Sequence, residues 1–519
     1  MGEIEYVILL LGAAAILVRL AESISVPYPI VLVVGGLAIG LIPGLPDLDL
    51  DPDVVFLVFL PPLLHAAAWQ SSPRELGAAL RPLALLSIGL VLATMGAVAV
   101  VAHAIVPGMS WEAAFVLGAI VGPTDPVAAV ATFSRIGAPA RVRLLVEGEA
   151  MINDGTALVA YRVALVAAVD GTFSAGEALL DFVVSATGGV AIGLAVGWLG
   201  TQVIRRQSDV ALNIFVTLIV AYGSYIAAEE LEVSGVLAAV SSGIYSGWNA
   251  HSTMDAGTRL SGHAFWGVMV FGLETLLFVL LGLQAPQLAD ELDVADLALQ
   301  ALAVAFCVIA VRMAWSAVPG GGFGASVRER IAVGWSGMRG AISLAAALAV
   351  PIEVQERPEI LLLTFGVIFV TLLGQGLTLP PLLRVLKLPG VNPFSPDEAT
   401  ARLEAAQAAL DRLDELEEEG AAAEPLRRLR ELYRTRFAVC VAVLGGGELP
   451  GDGRAELREY GAMRRELITV ERASLLALRN EGRVRQDIVR RVERDLDLDE
   501  ARIRSSRRDE CRLMPPWGA

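Results

Sequence analysis

Of 519 residues, 55% are hydrophobic and 18% charged, with a formal net charge of −16. A soluble domain carries about 45–50% apolar and about 25% charged residues. The excess here is gathered into runs close to the roughly 20 residues that cross a hydrocarbon core, which excludes an ordinary soluble fold. Most of the acid excess lies in residues 1–390 and no basic stripe accompanies it, which excludes a nucleic-acid footprint.

The start of the chain, Met1 to Tyr6, carries Glu3 and Glu5 and no basic stretch, against a cleaved signal peptide. Apolar segments follow at 4–20, 27–44, 54–69, 82–106, 111–133, 145–169, 177–203, 210–228, 233–248, 264–283, 294–317, 330–350 and 358–386. They predict an all-α polytopic membrane protein with about 13 transmembrane helices. Loops after the odd-numbered segments are basic, as at Arg74 and Arg81, Arg141 and Arg143, and Arg205 and Arg206. Those after the even-numbered segments are acidic, as at Asp47 to Asp53, Glu229 to Glu232 and Asp290 to Asp296. The positive-inside rule then puts the N-terminus outside and the C-terminus in the cytoplasm.

Ionisable groups within such segments are costly and need an explanation. The fifth segment contains Gly122-Pro123-Thr124-Asp125-Pro126, where two prolines forbid a regular helix. Backbone freed at that depth is tolerated only where it lines a cavity or packs on protein. The sixth contains Glu147-Gly148-Glu149-Ala150-Met151-Ile152-Asn153-Asp154. Glu149 and Asn153 stand one helical turn apart and share a face, with Asp154 on the adjoining one. The twelfth contains Gly334-Trp335-Ser336-Gly337-Met338-Arg339-Gly340, whose glycines weaken the helix and permit close approach.

Beyond residue 391 the chain turns charged and helix-prone, over Asp397 to Glu419, Pro425 to Leu444 and about 454–492. The expected division is a transmembrane domain over 1–390 and a cytoplasmic helical tail over 391–519, a solvated or self-associating module whose ligand or partner is left open. Cys307, Cys440 and Cys511 have no paired or metal-binding spacing.

At about 1.5 Å per residue, Asp154 lies roughly 15 Å, Arg339 roughly 14 Å and Asp125 roughly 21 Å into their segments. All three fall near the middle of a core about 30 Å thick. A buried arginine there needs a counter-charge, and Glu149 or Asp125 can supply it. The interrupted fifth and twelfth segments are seven apart, so six-span repeats over segments 1–6 and 8–13 place them in equivalent, inverted positions. Paired broken helices of that kind point to a secondary-transporter binding site.

A carboxylate that binds a small hard cation through oxygen can take a proton instead. Competition at Asp154 is then sufficient for exchange if only loaded states cross. Asp125, Asn153, Thr124 and a freed carbonyl complete the expected ligand shell, with Glu149 and Arg339 as a supporting ion pair. Arg162 is expected to be structural. Arg312 is a further charge inside a span, and Glu274 is a weaker functional candidate, as readily an interface contact. His65 and His103 are expected to serve helix packing. With no phosphate-binding loop, metal-spaced histidine cluster or nucleophile elbow, neither enzymatic activity nor a cofactor is expected.

At Thr124-Asp125-Pro126-Val127-Ala128-Ala129-Val130, at Glu147 to Asp154 and at Gly337-Met338-Arg339-Gly340, the chain resembles the first family of monovalent cation/proton antiporters, the bacterial sodium/proton exchangers. The resemblance spans residues 1–390. It implies a homodimer in the plasma membrane, the inner membrane of a bacterium, with a dimerisation domain and a core that moves like an elevator. It implies Asp154 as the essential aspartate, Asn153, Asp125 and Thr124 beside it, and Glu149–Arg339 as the supporting pair. It further implies pH homeostasis as the role, with Na+ (or Li+ or K+) and H+ as cargo. An Asn-Asp pair implies electroneutral exchange of one cation for one proton. Ala150 stands where many members have Ser, which leaves sodium against potassium open. The alternatives are a K+/H+ antiporter with the same site and, further off, a cation channel.

Overall fold

A computed structural model describes residues 3–24, 26–42, 52–136, 138–170, 175–289, 294–318, 323, 326–351, 353–388, 396–444, 463–464, 466–475, 477, 492 and 496–500. Every described element is a helix. The contacts divide the chain into two units, Met1–Leu388 and Pro389–Ala519.

In the first unit come α1 (Glu3–Ile24), α2 (Tyr28–Gly40), α3 (Pro52–Trp69), α4 (Pro73–Ala78) and α5 (Leu80–Ala84). A π-helical turn, Leu85–Gly89, joins α5 to α6 (Leu90–Ile105). Then follow α7 (Trp111–Val121), α8 (Val127–Ile136), α9 (Ala140–Asp170), α10 (Ala175–Ile204), α11 (Val210–Glu229), α12 (Gly235–Thr253) and α13 (Ala256–Ala289). The unit closes with α14 (Val294–Ala317), α15 (Val327–Trp335), α16 (Ala341–Leu348) and α17 (Arg357–Leu386). Each apolar segment of the sequence coincides with a helix, and the fifth and twelfth with two half-helices each. Among the described residues, 7 helices are by themselves long and apolar enough to cross a membrane. The shorter stretches Tyr28–Gly40, Val54–Trp69 and Trp111–Ile120 are apolar as well.

These helices sort into two bundles. One, here the crossing bundle, packs α6 to α9 against α14 to α17. The other, the flanking bundle, packs α1 to α3 against α10 to α13. The crossing bundle thus takes equivalent stretches from the two halves of the unit, around an apolar interior that includes Ala99, Leu117, Val308 and Val367. In the flanking bundle α2 and α13 touch backbone to backbone. A Cβ on Gly282 would stand 2.1 Å from the Val33 carbonyl oxygen, and one on Gly36 2.3 Å from that of Val279. Small residues allow such approach where helix association rests on van der Waals packing rather than on the exclusion of water.

The second unit holds α18 (Pro396–Glu418) and α19 (Ala423–Leu444), joined at Gly420 with φ +85°. Leu413, Leu426 and Cys440 are buried there. Of the third expected tail helix, residues 466–475 are helical, and the greater part of 454–492 lies outside the described residues. So do Asp47 to Asp51, Asp290 to Asp293 and Cys511.

Candidate cation site

Two helix breaks meet at the heart of the crossing bundle. After α7 the chain leaves the helix over Gly122 to Pro126 and resumes as α8; after α15 it does so over Ser336 to Gly340 and resumes as α16. The Asp125 backbone N–H donates to the Met338 carbonyl at 2.8 Å, so each break uses backbone groups that the other leaves orphaned. A Cβ on Gly340 would stand 1.8 Å from Asp125 Oδ2. Gly340 has φ −143° and ψ −149°, an extended conformation open to any residue, so glycine is required there for space. Asp125 Oδ1 in turn accepts from the Val127 N–H at 2.9 Å and caps the start of α8.

Arg339 is fully buried, and the structure corrects its expected partner. Its Nε donates to the Val121 carbonyl at 2.9 Å and its Nη2 to that of Gly122 at 3.3 Å; its Nη1 reaches the Gly337 carbonyl. The guanidinium therefore closes the C-terminal end of α7, where unpaired carbonyls carry partial negative charge. Glu149 is paired with Arg312 of α14 instead, through two parallel bonds of 2.5 and 2.8 Å, with both side chains 1% exposed. That fork-to-fork geometry is the strong form of the interaction. Arg312 also donates to the Val333 carbonyl of α15 at 3.1 Å. The reason for the difference is azimuthal. Depth places Arg339 and Glu149 at one level, but the break turns Arg339 towards α7 while α14 presents Arg312 to the carboxylate.

From Glu149 a chain of polar contacts leads to the cavity. Thr124 Oγ1 donates to Glu149 Oε1 at 3.1 Å, and Asn153 Nδ2 donates to Thr124 Oγ1 at 2.9 Å. Asn153 Oδ1 is buried without a hydrogen-bond partner, an arrangement that costs free energy unless a ligand or water completes it. The π-helical turn adds Ser87, whose hydroxyl donates to the Glu149 carbonyl at 3.2 Å; such turns gather at functional sites. Asp154 is 4% exposed, and among the described residues no side chain hydrogen-bonds or ion-pairs with its carboxylate.

Asp154, Asp125 and Thr124 line a cavity of about 460 Å³ between the two bundles. Its mouth carries the exposed Gln70 and the half-buried Ser71 and Glu147. The flanking bundle contributes Tyr28 and Glu274, joined by a hydrogen bond of 2.7 Å from the phenol to the carboxylate. Ala150 and Ser343 also face the cavity. The structure thus gathers Asp154, Asp125, Asn153, Thr124 and Glu149 in one place. Sequence reasoning missed Ser87, Tyr28 and Ser343, and gave Arg312 no partner, although a lone arginine in an apolar run was the available signal. Arg162 lies away from this cluster, eight residues past Asp154 on α9, and pairs with Glu229 of α11 at 2.6 Å.

The profile of the sodium/hydrogen exchanger transmembrane family matches residues 7–385. An uncharacterised Na+/H+ exchanger of Mycobacterium tuberculosis is 34% identical over 528 aligned positions, covering 96% of this chain and 95% of the relative. The Na+/H+ antiporter ApNhaP of Aphanothece halophytica is 31% identical, covering 88% and 86%. The solved sodium proton antiporter MjNhaP1 of Methanocaldococcus jannaschii superposes with a TM-score of 0.61 at 19% identity, over 74% of this chain and 98% of that one, and shares its fold. With a family match over most of its length and a relative aligned almost end to end, the chain belongs to the sodium/hydrogen exchanger family of membrane transporters.

Proposed function

We propose that this chain exchanges a monovalent cation, sodium in the first place, for a proton across the plasma membrane, and that both compete for Asp154. The observation that carries the reading is the contrast between two buried acids of α9. Glu149 is held by Arg312, whereas Asp154 faces the cavity with no side-chain partner among the described residues. A cation entering the cavity meets the Asp154 carboxylate, Asp125 and the Thr124 hydroxyl, with the Asn153 amide behind Thr124. These are oxygen donors of the kind hard cations prefer. Thr124 retains acceptor capacity after its two hydrogen bonds.

Charge supports a one-for-one exchange. In the crossing bundle Arg312 offsets Glu149, and Arg339 stands at the same crossing as Asp125, so ionised Asp154 is the charge left over. One Na+ or one H+ neutralises it, and either loaded form crosses hydrocarbon at much lower cost than the bare one. Alternating access then moves the crossing bundle against the flanking one. We assign the mouth at Gln70 and Glu147 to the cytoplasmic face, on the strength of the basic loops at Arg74, Arg81, Arg141 and Arg143. The same rule puts the N-terminus outside and residues 391–519 in the cytoplasm. A homodimer built on the flanking bundle and a role in pH homeostasis complete the reading.

The test is exchange in proteoliposomes with an internal pH dye, adding sodium, lithium or potassium in turn. A pH change driven by sodium and lost in a folded Asp154→Asn variant supports the proposal. Response to potassium alone moves the assignment to K+/H+ antiport. Unchanged exchange in Asp154→Asn overturns the role of Asp154.

A further inference from the structure

Glu274 is the one ionisable acid that the flanking bundle presents to this cavity among the described residues. It sits on α13, opposite Asp154 and Asp125, and the Tyr28 hydroxyl of α2 braces it at 2.7 Å. The phenol occupies Oε2, which leaves Oε1 for the cavity. Along α9, the mouth residue Glu147 lies seven positions before Asp154. The Arg162–Glu229 pair, eight positions beyond Asp154, ties α9 to α11 on the other side. The lining that holds Asp154 and Glu274 also holds the exposed Gln70 and the half-buried Glu147, so the cavity opens on that side and Glu274 belongs to it.

From this placement we infer that Glu274 makes the cation site asymmetric: it raises cation affinity at the face bearing Gln70 and Glu147, and at that face alone. The reasoning rests on the alternating-access reading above, and on which bundle carries each group. Asp154, Asp125, Thr124 and Asn153 all lie on the crossing bundle and travel with the cation. Glu274 and Tyr28 lie on the flanking bundle and stay behind. An ionised carboxylate across a low-dielectric cavity attracts a cation strongly. Once the crossing bundle has moved, the greater distance and the intervening protein and water weaken the pull of Glu274 on the site. The intrinsic ligands act on both faces, and Glu274 adds to one of them.

The experiment measures the apparent KM for sodium separately at each face, in inside-out and right-side-out vesicles, at alkaline pH where proton competition is weak. Glu274→Gln is expected to raise KM about tenfold at the Gln70–Glu147 face and to leave the opposite face within about twofold. Glu274→Asp, which keeps the charge, is expected to recover most of the wild-type value. Tyr28→Phe, which removes only the bracing hydroxyl, is expected to give a smaller rise at the same face and serves as the test if Glu274→Gln does not fold. Equal shifts at both faces, a fall in maximal rate with KM unchanged, or no shift would each overturn the inference. Wild-type exchange and its loss in Asp154→Asn, measured in the same vesicles, separate failure of this inference from failure of the antiport reading.

Discussion

In α18, Arg412 reaches Glu415 at 2.7 Å and Glu419 at 2.9 Å, with all three side chains more than half exposed. In the crossing bundle, Arg312 reaches Glu149 at 2.5 Å with both side chains 1% exposed. The distances are alike, but the surroundings reverse their meaning. On the tail, water solvates each charge with or without its partner, so the pairs are interchangeable and weak. In the bundle neither charge has water to fall back on, and removing one strands the other. Asp154 completes the comparison as a buried acid of the same helix that was given no arginine, which leaves it available to an ion that comes and goes.

The largest effect on stability is expected from Arg312→Ala. Stranding Glu149 should cost about 3–5 kcal/mol, read as a large fall in melting temperature in detergent. Replacing both partners by apolar residues, as in Glu149→Leu with Arg312→Met, should recover much of that loss without restoring exchange. A single Arg312→Ala variant as stable as wild type would remove the distinction between the regions. Next comes Gly340→Ala. Its Cβ would press on Asp125 Oδ2, Cγ and Cβ at 1.8, 2.5 and 2.6 Å, and overpacking of this kind costs about 1–3 kcal/mol. Because Asp125 must shift, the apparent KM for the cation should rise as stability falls; a stable variant with unaltered KM would show that the two breaks are not tightly fitted. The smallest effect is expected from Arg412→Ala in the tail, which should change neither melting temperature nor exchange rate. A clear change in exchange there would reveal a role for the tail beyond a solvated helix pair.

What could be read from the residues alone follows the same division. Apolar runs locate helices because burying backbone in hydrocarbon leaves few other structures. Pro123, Pro126 and the glycines around Arg339 locate the breaks because they act on their own backbone. That Glu149 and Asn153 stand together was legible too, since a helical turn fixes which residues share a face, and the depth of the fifth-segment break put Thr124 at their level. The partner of Glu149 was not. Rise per residue gives depth but no rotation, so Arg339 and Arg312 compete on paper, and only the packing of α14 decides. The π-helical turn before Leu90 was equally hidden, because Leu85 to Gly89 is as apolar as its flanks and carries no proline. Glu274 was visible as a charge inside a span, but that it faces Asp154 across a cavity depends on how α13 packs against α2.

Competition between cation and proton on one carboxylate is tested most directly by radioactive sodium exchange with sodium on both faces, followed over a pH series. Under those conditions the proton is a pure competitor. Lowering the pH is expected to raise the apparent KM for sodium, by about tenfold per pH unit once the site is mostly protonated, and to leave the maximal rate at saturating sodium unchanged. A maximal rate that falls with pH while KM stays constant would mean that the proton acts at a separate group, and would contradict a shared site at Asp154.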